Sequence, residues 1–403
     1  MEQEFFLVPR DAYARRPDLQ LAGRTVVGRF SPRGQEMSDH YMAALNPAAL
    51  ACLREIQHAC FQIGIPMKTR HREVAPGQYE MAPYFGHAPG QIDQNLVVMD
   101  LCEEIAAKHG LACLFQEKPF AGINGSGKHN NWSISTKEGV NLFKARDVAE
   151  KLGRPEVFAV MLAAFVQAVD RHGDLLRAAV ASPGNDFRLG AMEAPPAIIS
   201  TYLGEALTSF LDAYRKGEKA EYTPQKTVLE TGCDSIDAFE IPAEDRNRTS
   251  PLPYTAGMRF EFRAVGSAQN VSLVNTVLAT ICAEAFKELA DKMEGGSDAA
   301  SVAREALNQH WRVIFNGNGY AAEWPAEAEQ RGLFNIPSGV DATNMLGSDK
   351  NVALFEAMGV MSKEELLARR DTTLEHYAGL VEIEGKCMVD MAKRQIVPAL
   401  VKA

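Results

Sequence analysis

Hydrophobic and polar positions alternate residue by residue in some stretches and recur every three or four residues in others, which divides the chain into strands and helices. Glu2 to Val8 reads as a strand that starts at once, with Glu2 and Glu4 on one face. Polar residues from Pro9 to His40 make a long connection, and Asn46 opens a helix through Ile63, apolar at Leu50, Leu53, Ile56 and Phe61. A hairpin around Pro76-Gly77 follows, then an amphipathic helix from Ile92 to His109 and a short buried strand from Leu111 to Phe115. Lys128 to Ser135 alternates again, with His129, Asn131, Ser133 and Ser135 on one face and Lys128, Asn130, Trp132 and Ile134 on the other. Glu156 to Val180 is helical, and its most apolar run, Val157 to Val169, is too short to span a bilayer. Met258 to Arg263 sends Met258, Phe260 and Phe262 to the core and Arg259, Glu261 and Arg263 to the opposite face. The helix from Gln269 to Met293 should pack on that sheet. The last third is helical, with a capping box at Ser362 to Glu365 and one or two long helices from Leu374 to Leu400.

The hairpin holds two carboxylates that folding alone would avoid. If Ala75 and Gln78 close the turn, Val74 faces Tyr79 and Glu73 faces Glu80 across the ladder. Like charges so placed want a cation or a shared proton. The bland alternative is a solvated outer face or a looser turn that takes the pair out of register.

Composition narrows the function classes. At 403 residues and 46% hydrophobic content the chain can bury a large core. A net charge of -10 and a pI near 5.5 argue against nucleic acid or an anionic membrane as the main partner, since both reward a basic surface. The 7 cysteines are scattered and form no CxxC pair, which fits a reducing cytoplasm rather than a disulfide framework or a thiolate zinc site. No signal peptide, internal repeat or low-complexity tract is visible.

Chemistry concentrates on the polar strand faces. Glu2, Glu4, Glu73, Glu80 and Glu261, with His129, form an oxygen-rich ligand set that suits Mg²⁺ or Mn²⁺ better than zinc, and their number allows two ions. Arg188, Arg248, Arg259 and Arg263 supply forks for phosphates and carboxylates. The glycine-rich stretch from Glu117 to Ser133 lets backbone approach a ligand closely, although it matches neither the Walker pattern nor GxGxxG. Asp186 to Pro196 reads as a loop, and Thr227 to Ser250 as an irregular excursion over the surface. The aromatic and charged residues from Trp311 to Trp324 read as packing. Carboxylates for metals, arginines for anions and a glycine loop together point to phosphoryl transfer from a nucleotide. For the single groups the structural alternatives are an ion-pair ladder in the Arg-Glu-Arg row and a solvated face for Glu2 and Glu4.

The segments EQEFFLV, KTRHREVAPGQYEMAPYF, EKPFAGINGSGKHNNWSIS, NDFRLGAMEAPPAIIS and DRNRTSP...MRFEFRAVGSAQN resemble, in order, the motifs of type III glutamine synthetase, and the likeness continues to DMAKRQIVPAL. The resemblance implies an α+β fold: a curved antiparallel β-sheet of the glutamine synthetase/guanidino kinase kind backed by helices. It implies a catalytic domain over 1–290 and a helical region over 291–403. It implies that Glu4, Glu73 and Glu80 hold a first metal and Glu2, His129 and Glu261 a second. Asn124, Gly125, Arg188 and Arg263 would bind L-glutamate, Arg248 the phosphates, and Ser133 and Arg259 the nucleotide. Glu193 would close over the intermediate and take a proton from ammonia. The implied reaction forms L-glutamine from L-glutamate, ammonia and ATP through γ-glutamyl phosphate, with two Mg²⁺ or Mn²⁺ ions.

The chain departs from the family pattern in three ways. By the resemblance, Met1 stands where the family enters its first catalytic strand, so that the N-terminal β-grasp domain is expected to be lacking and the family's homo-oligomer of two hexameric rings to be weakened. Pro253 stands where many relatives have an arginine, five residues after Arg248. The two hairpin glutamates are one residue closer together than in type I relatives. The alternative function is that of a truncated, catalytically incomplete homologue that binds ligands or joins full-length subunits.

Overall fold

Phe5 and Leu7 leave the first strand on one side and Glu2, Glu4 and Phe6 on the other, and this split runs through the whole sheet. The computed structural model describes all residues except 39, 219–221, 223–225, 230, 231, 233, 234, 236–238 and 243–246. Its strands are β1 (Glu2–Pro9), β2 (Met67–Arg72), β3 (Gln78–Pro83), β4 (Leu111–Leu114), β5 (Lys128–Trp132), β6 (Thr201–Tyr202), β7 (Lys226–Leu229), β8 (Phe239–Pro242), β9 (Leu252–Thr255) and β10 (Arg259–Phe262). Among the described residues they form an eight-stranded sheet in the order β2-β3-β1-β5-β10-β9-β6, with β4 paired to β1, and a separate pair β7-β8. Among the described residues all pairings of these strands are antiparallel except β6 with β9 at the edge, which is parallel.

One face of the sheet is core. Over β1 and β3, Phe5, Leu7, Tyr79 and Met81 meet Cys52, Leu53 and Ile56 of the helix Pro47–Gln62, and Val98, Cys102 and Ile105 of the helix Ala88–Lys108. Over β5 and β10, Trp132, Phe260 and Phe262 meet the helix Glu156–Ala178, which is buried along nearly its whole length, and the helix Ser272–Glu294. Phe260 sits at the centre of an aromatic cluster, with ring centroids 4.0 Å from Phe165, 5.1 Å from Phe143 and 5.3 Å from Tyr254.

The helix Pro47–Gln62 starts as expected, with Asn46 accepting from the Ala48 N–H at 3.0 Å. Its buried stripe, however, is Ala49, Cys52, Leu53, Ile56 and Cys60, and Phe61 is exposed because it lies a helical step off that stripe. The polar connection contains two short helices, Arg10–Ala14 and Pro17–Ala22, the second tied by Arg16 to the buried Asp18 at 2.6 Å. Asp186 to Arg188 belong to a short helix, Pro183–Arg188, capped by Ser182, rather than to a loop. Within the stretch read as irregular, 226–229 and 239–242 pair as β7 and β8, whereas Asp245 and Arg246 lie outside the described residues.

At the C-terminal end the capping box at Ser362 and Glu365 starts a single helix, Lys363–Met391, which packs on the helix Pro17–Ala22. Among the described residues no helix is long and apolar enough to cross a membrane. Replacing Phe260 by Ala removes the fully buried centre of the aromatic cluster; the expected loss is about 3–5 kcal/mol of stability, read by chemical denaturation.

Candidate active site

The opposite face of the sheet is a row of acids. Strand register sets Glu4 opposite Glu80, Glu2 opposite His129, and Glu261 opposite Asn131, so side chains from β3, β1, β5 and β10 stand side by side. The imidazole of His129 is 3.0 Å from Glu2, 3.6 Å from Glu261 and 3.7 Å from Glu4. Glu2 also accepts from the Asn131 amide at 3.2 Å, and Glu261 is bridged to Arg263 at 2.5 Å. Glu4 is oriented by the Gly127 N–H, which donates to it at 2.6 Å.

The hairpin reaches this row in a register different from the expected one. His71, rather than Glu73, lies opposite Glu80, and Arg72 lies opposite Tyr79. Glu73 to Gly77 form a longer loop, because Val74 and Ala75 tuck into the interior and the Gly77 carbonyl accepts from the Leu7 N–H at 2.9 Å. A slip of two residues keeps Glu73 on the acidic face, so the looser turn moves the pair out of register without exposing it. His71 joins them, with ring nitrogens 3.0 Å from Glu80 and 3.7 Å from Glu73. Among the described residues two groups result whose ligand atoms lie within 4.8 Å of one another: His71, Glu73 and Glu80, and Glu2, Glu80 and His129.

Beside the acids is a cavity of about 170 Å³ lined by Glu4, Glu73, His129, Asn124, Gly125, Gln78, Arg188, Glu193, Arg248, Arg263, His40, Tyr41 and Tyr320. Its floor is the glycine loop. A Cβ on Gly125 would stand 2.3 Å from the Glu117 backbone carbonyl, so that position admits only glycine, and one on Gly127 would stand 2.2 Å from the Arg188 guanidinium and displace it. Arg188 is buried and donates to the carbonyls of Arg263 at 3.1 Å and Val265 at 3.3 Å. Burial draws its pKa below the ordinary value, while Glu4 opposes that shift.

The mouth of the cavity is built from three distant segments. Gln35 exchanges two hydrogen bonds with Asn124, at 2.7 and 2.9 Å, and Tyr41 packs edge-on against His71. Glu193 is exposed, has a φ of 53°, and accepts from the Asn124 amide. Tyr320 donates to the Arg248 carbonyl at 3.1 Å, and burial pushes its phenol up to about 12.

The structure thus brings Glu2, Glu4, Glu73, Glu80, His129, Glu261, Asn124, Gly125, Arg188, Arg248, Arg263 and Glu193 together. Ser133 and Arg259 stay outside the cavity: Ser133 is exposed beyond the end of β5, and Arg259 donates to Asn131 at 2.9 Å. Sequence reasoning missed His71, Gln78, Gln35, His40, Tyr41 and Tyr320. Only His71 carried a signal, as it lies two residues before Glu73 on the same strand face. Tyr320 falls in the stretch read as packing.

Two family models match the chain: "Glutamine synthetase, catalytic domain" over residues 1–171 and "Glutamine synthetase C-terminal domain" over residues 298–403. The type-3 glutamine synthetase of Dictyostelium discoideum is 43% identical over 99% of this chain and 55% of its own length. The glutamine synthetase of Bacteroides fragilis is 41% identical over 99% of this chain and 56% of its own length. The chain therefore spans a little over half the length of these relatives. Among solved structures, "Apo GmaS without ligand" aligns over 94% of this chain and 68% of its own, with a TM-score of 0.55 at 19% identity. "GmaS/ADP complex-Conformation 1" aligns over 94% and 69%, with a TM-score of 0.56 at 20% identity, and both show the fold.

The acidic row is electrostatically costly without a cation. Burial, then Glu4 and Glu80, push Glu73 up to about 9, against the opposing pull of His71 and Arg248. Carboxylate oxygens with one or two imidazoles are the donor set of Mg²⁺ or Mn²⁺, and the residues fit such ions. With its pKa raised on folding, Glu73 binds more protons folded than unfolded, so the metal-free protein loses stability as pH rises from the ordinary carboxylate range toward 9. Glu73→Gln should therefore melt about 2 °C or more above wild type at pH 8 without metal. The difference should vanish near pH 4.5, and the variant should lose most of the Mn²⁺-dependent rise in melting temperature. A variant no more stable than wild type at pH 8 would contradict this account.

Proposed function

We propose that this chain, which belongs to the glutamine synthetase family, joins ammonia to the γ-carboxylate of L-glutamate with ATP, through γ-glutamyl phosphate. The observation that carries this reading is one cavity in which a buried row of carboxylates meets the buried forks of Arg188 and Arg263 at a glycine floor. Acids alone would serve many metals, and arginines alone many anions; their contact suits a substrate that is itself an anion and takes a phosphoryl group.

Asn124, the Gly125 backbone, Arg188 and Arg263 would hold glutamate, with Arg263 also facing the transferred group. Arg248, at the mouth, would offset charge on the nucleotide phosphates. Ser133 and Arg259 would line the nucleotide from outside the cavity. Glu4, Glu73 and Glu80 would hold one divalent cation and Glu2, His129 and Glu261 another, with His71 beside the first. When bound, these ions would neutralise the phosphate oxygens.

In the first step a γ-carboxylate oxygen attacks the γ-phosphorus and ADP leaves. In the second, the ammonia nitrogen attacks the carbonyl carbon of the γ-carboxyl group, phosphate leaves with the carbon–oxygen bond electrons, and Glu193 accepts the proton from nitrogen. Closure of the Glu193 loop would keep water from the acyl phosphate. Residues 1–290 would supply this catalytic unit and 291–403 a helical region packed against it. The family's assembly of two hexameric rings belongs to the same proposal.

The test is phosphate release by the purified chain with Mg-ATP. The expected result is release that requires both glutamate and ammonium. His129→Ala and Glu261→Gln should each lower it roughly a hundredfold or more while circular dichroism stays unchanged. Release indifferent to glutamate and ammonium, or wild-type turnover in either variant, would overturn the reading.

A further inference from the structure

The helix that delivers Arg188 is gripped on two sides. On the inner side the Asn185 amide donates to the carbonyls of Val180 and Ala264, both at 2.8 Å, which ties it to the turn after the helix Glu156–Ala178 and to the segment that follows β10. On the outer side Asp186 and Phe187, the two residues before Arg188, are held by the C-terminal helix Lys363–Met391. The phenol of Tyr377 donates to Asp186 at 2.8 Å. Phe187 lies under the Arg24 guanidinium, 4.3 Å from the ring centroid, and Arg24 is clamped by both oxygens of Glu384 at 2.5 and 2.7 Å. Tyr377 and Glu384 are seven residues apart, two helical turns, and so share one face of that helix.

Asp186 is a hub rather than a surface acid. Besides Tyr377 it accepts from the buried Arg177 at 2.8 Å and from the Gly339 N–H at 2.7 Å. A Cβ at position 339 would stand 2.5 Å from its carboxylate, so the approach of that backbone depends on glycine. Arg177 in turn donates to the carbonyls of Ile336 at 2.8 Å and Pro337 at 2.9 Å. Burial and the Asp186 carboxylate hold the Tyr377 phenol well above its ordinary range, so it remains a donor at any working pH. By contrast, the Arg188 side chain itself donates to neutral oxygens, those of Asn185, Arg263 and Val265. These bonds orient the fork, and the segment that carries it sets where the fork stands.

We infer that the C-terminal helix is a splint for the Arg188 segment, with Tyr377 as a positioning residue that acts on substrate through Asp186. The inference rests on the proposed role of Arg188 in binding the glutamate carboxylate. It assigns to the C-terminal helix a part in substrate affinity rather than in the core alone.

The experiment uses the full chain with Tyr377→Phe, which removes one hydroxyl, and Arg24→Gln, which releases Phe187 independently. Hydrogen exchange of residues 183–194 and the KM values for glutamate and ATP are read for each. The expected result is exchange roughly fivefold faster in that segment and a glutamate KM raised by a similar factor, the loss of about one hydrogen bond. The ATP KM and melting temperature should stay near wild type. Unchanged exchange in both variants would overturn the splint, whatever the kinetics. Faster exchange with an unchanged glutamate KM would overturn its link to substrate. A wild-type chain without glutamate-dependent turnover would count against the ligase reading instead, and the splint would then stand or fall on exchange alone.

Discussion

The repulsion among buried carboxylates on one face of the sheet is the constraint around which the structure is arranged. Glu4, Glu73, Glu80 and Glu261 are each less than a tenth exposed; strand pairing sets Glu4, Glu80 and Glu261 in one row, and the hairpin loop brings Glu73 beside them. Such a face is stable only because the other face is core: Phe5, Tyr79, Met81, Phe260 and Phe262 anchor the same strands from behind. The backbone cannot relax away from the charge without opening that core. The charge is thereby held ready for a cation instead of being dispersed, with the imidazoles of His71 and His129 within 3.0 Å of it.

The anion end of the site follows the opposite logic. Arg188 is buried among carbonyls and a glycine floor, where its fork has few ways to turn, and Arg263 is held by Glu261. Preorganised cations of this kind lose little freedom when a carboxylate or phosphate arrives. Glu261 belongs to both ends: it lies 3.6 Å from His129 and 2.5 Å from Arg263, so a change in its charge would be felt on either side of the reacting centre.

Much of this was legible in the sequence because strand alternation is insensitive to register. Glu2, Glu4, Glu80, His129 and Glu261 fall on one face for any pairing that keeps the core inside. For the same reason the expected partnership of Glu73 with Glu80 could slip by two residues and still leave both in the site. The slip itself was not legible, since it depends on Val74 and Ala75 finding room in the interior beside β1. Nor were Gln35, Tyr41 and Tyr320, which come from stretches without periodicity and reach the cavity through tertiary contacts alone. Ser133 shows the converse limit: alternation placed it on the polar face, but β5 ends at Trp132 and Ser133 is exposed outside the cavity.

The same distinction explains why the cavity's walls and its mouth differ in construction. Residues on strands are positioned by a ladder and a core, so their geometry is fixed to the precision of the fold. Glu193 and Gln35 are positioned by hydrogen bonds to Asn124, and Tyr41 by its ring contact with His71, while Glu193 adopts a backbone conformation that non-glycine residues avoid. A left-handed glutamate is tolerable in a loop whose ends are secured, and here the Gly190 N–H donates to the Pro195 carbonyl at 2.9 Å to close it. In the proposed reaction, a carboxylate that admits a small amine and then shields an acyl phosphate would be better carried by such a loop than by a strand. The fold therefore assigns charge storage to the sheet and access to the loops.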